Sequence, residues 1–169
     1  MTSKRLWSRF SKLAVLFSIV FLFFLITAKI DYYVNDTLYQ YGLRFSYRWA
    51  TGYWLAYTSE FMIFACMTVF VYWLGSQKTR CDLKVTVALV TTIVLLAIGG
   101  FQDILFFAVW EENGFPPNSV DWWWSWLHGV FGIWNTMMQI GLVAAIMGVS
   151  AVVWWLALRT PKKVCKYPF

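Results

Sequence analysis

The sequence predicts an all-α integral membrane bundle, and three observations indicate it. Hydrophobic residues make up 60% of the chain and charged residues only 13%, a composition typical of membrane proteins. Four long apolar stretches fill most of the 169 residues, and a bilayer core needs only about 20 helical residues. The basic residues collect in alternate segments between these stretches.

The four apolar stretches are predicted to be transmembrane helices of a single domain, residues 1–169. Their approximate limits are 13–30, 55–75, 85–110 and 130–158. The first follows a basic segment, as a signal peptide would. However, it is long for such a peptide and lacks a small-x-small cleavage site before Asp31, so we expect it to be retained. The remaining length leaves room for short loops and two tails.

The basic residues predict the orientation of the bundle. They are Lys4, Arg5, Arg9 and Lys12 before the first span, Lys78, Arg80 and Lys84 between the second and third, and Arg159, Lys162, Lys163 and Lys166 after the fourth. Because Lys and Arg are enriched on the cytoplasmic side, both termini are predicted to be cytoplasmic. The net charge of +6 then reflects orientation, and no nucleic-acid partner is expected. The expected location is the cell membrane or another energy-transducing membrane.

Two connections are predicted to face the non-cytoplasmic side, residues 31–54 and 110–129. The first mixes aromatic residues with Arg44 and Arg48 and is expected to contain a short interfacial helix. The second contains an Asn-Gly and a Pro-Pro pair, which end the third span. Asp121 is expected to begin another short interfacial helix, where its carboxylate would complement the helix dipole.

Four polar residues lie in the outer halves of the predicted spans, namely Glu60, Asp103, Asn135 and Gln139. Polar groups are costly in lipid and usually face protein or a water-filled cavity. His128, Gly132, Asn135 and Gln139 also share one stripe if the fourth helix is continuous. A Gly-Gly pair on the third span would allow close helix packing there, and we therefore expect Asp103 beside Asn135.

Three interpretations of these polar residues remain open. In the first, Asn135 and Gln139 hydrogen-bond to the carboxyl groups and hold helices together, each contact contributing about 1 kcal/mol. In the second, a pocket opens to the outer face, where Glu60 and Asp103 perform acid/base chemistry or bind an amine, a lipid headgroup or a metal. His128 is a further catalytic candidate if those two carboxyl groups are near. In the third, the residues carry ions or protons.

Metal and cofactor signatures are missing from the sequence. Three scattered cysteines and one histidine cannot assemble a usual zinc, iron–sulfur or haem site, so no metal site and no cofactor are predicted. HExxH, GxSxG and phosphate-binding glycine motifs are also missing. Cys66 lies in the second span, and Cys81 and Cys165 are predicted to face the reducing cytoplasm, so no disulfide is expected.

Two short segments, residues 31–40 and 83–86, are similar to parts of the membrane C subunit of ammonia and particulate methane monooxygenases. The similarity covers about a tenth of the chain. That family holds copper with a carboxylate and histidines, whereas Asp103 is followed four positions later by Phe107. No ligand is therefore carried over, and the resemblance implies only an accessory subunit of a comparable complex.

The predicted function is that of a non-catalytic accessory subunit of a larger membrane complex, because the chain is small and lacks catalytic signatures. The alternative is a membrane-embedded enzyme or binding protein for an amphiphilic or small ligand. Its ligand-binding residues would be Glu60, Asp103, Asn135 and Gln139. Expected partners are the bilayer, other membrane subunits and, for the alternative, a lipid or small amphiphile.

Overall fold

The computed structural model describes residues 3–42 and 47–159, with side chains described for residues 11–42 and 52–159. This part of the chain is helical and contains no strand. The helices are α1 (Ser3–Gln40), α2 (Tyr47–Leu74), α3 (Arg80–Ile98), α4 (Phe101–Leu105) with a following π-helical segment (Phe106–Trp110), α5 (Trp126–Phe131) and α6 (Thr136–Leu158).

Four of these helices are long and apolar enough to cross a membrane. They are Ser11–Gln40 within α1, Gly52–Leu74 within α2, the whole of α3 and the whole of α6. The prediction of an all-α chain with four membrane-spanning candidates is therefore confirmed, although three of the predicted boundaries are wrong.

The first predicted span ends too early, because α1 continues from residue 30 to Gln40. The charge of Asp31 suggested a boundary, but this side chain is only 8% exposed and is hydrogen-bonded within the protein. A satisfied polar group can remain in a helix interior. Residues 31–40 are thus part of α1 and not a separate interfacial helix. Arg44 and the side chain of Arg48 lie outside the described residues.

The third predicted span is broken in the middle. α3 ends at Ile98, and Gly100 adopts a left-handed conformation with φ of 66°, which glycine tolerates without the Cβ penalty. The chain then resumes as α4 and the π-helical segment, which pack on α1. A hydrogen-bond donor from another helix satisfies the backbone carbonyl groups at the break. The apolar pattern of the third span therefore gives no indication that the helix is broken.

The fourth predicted span also begins later than expected. α5 ends at Phe131, Gly132 is left-handed with φ of 76°, and α6 begins only at Thr136. The side chain of Asn135 caps α6 by accepting a hydrogen bond from the Met138 N–H at 3.1 Å, a geometry typical of helix N-caps. The predicted continuous stripe from His128 to Gln139 was therefore wrong.

The core lies where α3 packs between α2 and α6 while α1 packs against α4. Phe24, Val85, Leu89 and Ile93 are fully or almost fully buried there. Phe23 of α1 stacks on an aromatic residue of α2, with ring centroids 3.7 Å apart. Most large apolar side chains on the outer helix faces are exposed, as expected for helices that contact lipid.

The cysteines correct a further expectation. Cys81 is buried near the start of α3 and is disulfide-bonded, so the prediction of no disulfide was wrong. The cytoplasmic location of Cys81 was predicted from the Lys and Arg pattern alone. That pattern carries no information about which thiols are paired. Cys66 is a free thiol in α2, and Cys165 lies outside the described residues.

Candidate functional site

The break between α3 and α4 is held open by the side chain of Gln139. Its Nε2 donates hydrogen bonds to the backbone carbonyls of Gly99 at 2.6 Å and Gly100 at 3.1 Å. Its Oε1 accepts from the indole N–H of Trp134 at 2.7 Å. Gln139 is completely buried, and these contacts satisfy both ends of its amide. It therefore joins α6 to the broken helix and fixes the direction in which α4 leaves.

Asp31 is the centre of a hydrogen-bond network that joins three elements. Its carboxylate accepts from the hydroxyl of Tyr53, from the hydroxyl of Tyr57 at 3.0 Å and from the Nε2 of Gln102 at 2.6 Å. The three donors come from α2 and α4, so one side chain of α1 connects both. These hydrogen bonds satisfy the oxygens of the carboxyl group, which explains how it can be buried.

A cavity of about 300 Å³ lies beside this network. Its polar lining residues include Asp31, Gln102 and Asp103, and most of its other lining residues are aromatic. Asp103 is half-buried, and its carboxyl group forms no hydrogen bond or ion pair with any residue that the structure describes. The full set of lining residues includes Asn35, Tyr53, Trp54, Tyr57, Ala97, Gly100, Phe106, Phe107, Trp123, Trp124 and Trp126.

The tryptophan cap, residues 121–134, covers the cavity. Trp122 is completely buried and contacts Phe107 of the π-helical segment, with ring centroids 5.0 Å apart. Trp124 stacks on Trp122, and the indole N–H of Trp126 donates to the carbonyl of Ile98 at 3.0 Å. The cap is therefore attached to both sides of the helix break.

A partly exposed set of hydrogen bonds around Asp121 shapes the cap. Its Oδ1 accepts from the backbone N–H of Trp134 at 2.9 Å, and its Oδ2 lies 2.9 Å from Nδ1 of His128. The backbone hydrogen bond from Trp134, followed by the contact with His128, lowers the pKa of Asp121. Asp121 was expected to begin an interfacial helix, but Ser125 caps α5 instead.

A second, largely apolar groove of about 390 Å³ lies between α2 and α3 beside the cavity. Four residues belong to the walls of both spaces: Trp54, Tyr57, Ala97 and Trp126. Below them the groove is lined mainly by apolar side chains such as Phe61, Met62, Ile93 and Val94. From residue 54 to residue 62 it follows α2 for about 12 Å.

The predicted site residues are only partly brought together. Asp103 lines the cavity, and Gln139 lies behind its wall at the helix break. Asn135 caps α6 and does not line the cavity. Glu60 is exposed on α2 and also does not line it, and His128 contacts Asp121 in the cap. The expected contact between Asp103 and Asn135 is not formed, and Glu60, whose distance from Asp103 was left open, does not join Asp103 at the cavity.

Sequence reasoning missed Asp31, Gln102, Tyr53 and Tyr57. Asp31 was assigned to a loop and Tyr53 to an interfacial aromatic belt. A usable signal exists, because residues 24, 28, 31 and 35 share one helix face when α1 is continued. Gln102 had no such signal, since its position depends on the helix break.

The described residues contain no group of three His, Cys, Asp or Glu side chains that could hold a metal ion. The prediction that the protein needs no cofactor is not tested by this finding. No protein-family model, curated protein sequence or solved structure matches the chain.

Proposed function

We propose that this protein binds an amphiphilic small molecule at the outer end of a membrane-inserted bundle. The polar end of the ligand would occupy the cavity beneath the tryptophan cap, and its apolar chain would lie in the groove between α2 and α3. The observation that carries this proposal is that four residues belong to the walls of both spaces, from which we infer that one ligand extends through both.

The chemistry of the two spaces supports a ligand with two different ends. The cavity contains carboxyl and amide groups, while the groove is nearly all apolar. Ligand sites are usually apolar clefts with a few placed polar groups that fix orientation. Since α2 and α3 are both candidate spans, a ligand could enter sideways from the outer leaflet.

Binding is better supported than catalysis. Of the three catalytic candidates Glu60, Asp103 and His128, only Asp103 lines the cavity. A general acid or base must lie within hydrogen-bond reach of the proton that it transfers, and Glu60, the expected partner of Asp103 in such chemistry, does not line the cavity. We therefore place Asp103 in ligand binding.

The proposal is tested by blocking the junction of cavity and groove. Ala97 lines both spaces, so Ala97→Phe should abolish retention of a co-purifying amphiphile when the protein is analysed by native mass spectrometry. The matched control is Ala144→Phe, which adds the same ring to an exposed position of α6 and should retain the ligand. Loss in both variants, or in neither, would contradict the proposed site, provided that thermal unfolding shows both to be folded.

A second function is favoured by Glu60. This carboxyl group lies exposed within a candidate span, eight residues and about 12 Å from its start at Gly52. Ionisable groups facing lipid are expensive and usually meet other protein. We infer that the α2 face around Glu60 contacts another membrane protein, as an accessory subunit would.

The subunit proposal has a separate test. Glu60→Leu should release a partner that co-purifies with the unchanged protein, because it removes the polar contact while preserving an apolar helix face. Met67→Leu, on another exposed position of α2, is the control and should keep the partner. A protein that purifies alone and is stable in mild detergent would contradict this proposal without affecting the ligand site.

A further inference from the structure

We propose that the polar end of the ligand is a primary ammonium group, an inference that rests on the proposed binding function. The cavity offers hydrogen-bond acceptors and aromatic faces but, among the described residues, no matching cation. Three independent features of its wall lead to this ligand class.

The first feature is charge. Asp31 and Asp103 line the cavity, and the described lining residues include no Lys, Arg or His. The nearby Lys29 places its amino group 3.9 Å from the ring centroid of Trp110 and is not part of the wall. A carboxylate removed from water is costly unless an opposite charge accompanies it. A cationic ligand would provide that charge.

The second feature is a pair of unused acceptors. Gln102 is only 4% exposed, and its Oε1 is buried without a hydrogen-bond partner in the described part of the chain. The amide cannot be reversed, because Nε2 must face the Asp31 carboxylate that accepts from it at 2.6 Å. Asp103 likewise has no described partner. Both residues line the cavity, so these two unused acceptors favour a ligand that donates hydrogen bonds.

The two carboxyl groups differ in their hydrogen bonding, and this difference indicates where the ammonium would bind. Asp31 already accepts three side-chain hydrogen bonds, so its capacity is largely used. Asp103 and the Oε1 of Gln102 are free to accept. An –NH₃⁺ group carries three donors, and charge-assisted hydrogen bonds are about twice as strong as neutral ones. The geometry thus points to an ammonium bound chiefly by Asp103 and Gln102.

The third feature is the aromatic wall. Trp123, Trp124 and Phe106 line the cavity together with the carboxyl groups. Aromatic faces attract cations, most strongly where water is excluded. These aromatic residues would stabilise the charge of an ammonium without supplying a competing positive group. They would not stabilise an anionic head group such as a phosphate, so they favour the ammonium.

The test uses four probes with the same sixteen-carbon chain, each titrated into the full-length protein in zwitterionic-lipid nanodiscs and measured by native mass spectrometry. They are hexadecylamine, hexadecyltrimethylammonium, hexadecanol and hexadecyl sulfate. We expect hexadecylamine to bind at least about tenfold more tightly than the others, since the loss of a charge-assisted hydrogen bond has about that effect.

Each other outcome has a defined meaning. Equal binding of the trimethylammonium probe would overturn the hydrogen-bonding part of the inference, and equal binding of hexadecanol or the sulfate would overturn the cationic ligand. In those cases the amphiphile site itself would stand. Failure of all four probes to bind would contradict the proposed function as well.

Matched variants test the assigned residues. Asp103→Asn and Gln102→Leu should each weaken hexadecylamine binding about tenfold or more while leaving hexadecanol binding unchanged. The control is Asp36→Asn, which removes a carboxylate from an exposed position outside the cavity and should not alter amine binding. An equal effect of Asp36→Asn would show a general surface-charge effect and overturn the assignment. Unchanged amine binding by Asp103→Asn would do the same.

Discussion

Asp31 and Asp103 line the same cavity, but their carboxyl groups differ in hydrogen bonding. Asp31 joins α1 to α2 and α4 through three hydrogen bonds, whereas Asp103 has no described partner. The sequence predicted Asp103 as a site residue because a carboxyl group within an apolar span is unusual. It placed Asp31 in a loop, although continuing α1 would have put Asp31 on the inward face, and its donors Tyr53, Tyr57 and Gln102 are distant in the chain.

Neutralising these two carboxyl groups should therefore have different effects on stability. Asp31→Asn should lower the free energy of unfolding by about 1–3 kcal/mol, because the amide NH₂ replaces one of the two oxygens that accept from buried donors. Asp103→Asn should leave stability unchanged or raise it. Thermal unfolding in one detergent measures both. A larger loss for Asp103→Asn than for Asp31→Asn would contradict this division.

The Asp121 carboxylate should make the stability of the tryptophan cap dependent on pH. The Trp134 backbone N–H and His128 hold its folded pKa below the ordinary aspartate value of 3.8. A lowered folded pKa stabilises the fold above pH 3.8, and this contribution is lost as the pH falls through the folded pKa. The melting temperature should therefore fall more steeply below pH 3.8 in the unchanged protein than in Asp121→Asn. If the melting temperatures of the two proteins depended on pH in the same way, Asp121 would not contribute this pH dependence.

At the scale of elements, the sequence predicted helix existence better than helix continuity. The four apolar stretches all contain helices, because hydrophobicity and length suffice to identify them. The breaks at Gly100 and Gly132 were missed, because the first depends on Gln139, which lies on another helix. The Gly-Gly pair was expected to allow close packing, and a Cβ at Gly99 would indeed clash with Ile146.

Gly100 should be required for the helix break. Ala at this position would be strained at φ of 66°, and its Cβ would lie 2.5 Å from Gln139 Nε2. We expect Gly100→Ala to lower the free energy of unfolding by at least about 1–2 kcal/mol. The control is Gly141→Ala, where a Cβ meets no atom within 4 Å and a helical glycine is replaced, so stability should rise by about 0.5–1 kcal/mol. Equal effects of the two substitutions would contradict a special backbone at Gly100.

At the scale of the whole molecule, two observations favour opposite orientations. The Lys and Arg distribution places the connection between α2 and α3 in the cytoplasm. However, the disulfide of Cys81, near the start of α3, favours an oxidising compartment. We retain the charge-based orientation as the prediction, with the tryptophan cap on the outer side.

Single-cysteine labelling can decide the orientation. In a variant with all three native cysteines changed to serine, Asn113→Cys should react with a membrane-impermeant maleimide on intact cells. Ser76→Cys, in the connection between α2 and α3, should react only after permeabilisation. The reverse pattern would contradict the charge-based orientation and agree with the compartment that a disulfide favours.

The central claim is that the cavity and the α2–α3 groove hold one amphiphilic ligand. The most direct measurement is photo-crosslinking with hexadecylamine that carries a diazirine in its chain, followed by peptide mapping in nanodiscs. The account predicts adducts concentrated at groove residues such as Phe61, Met62 and Val94, and their loss in Ala97→Phe. Adducts distributed evenly over the exposed faces of α1 and α6, unchanged by Ala97→Phe, would mean that the probe dissolves only in the surrounding lipid and would contradict the account.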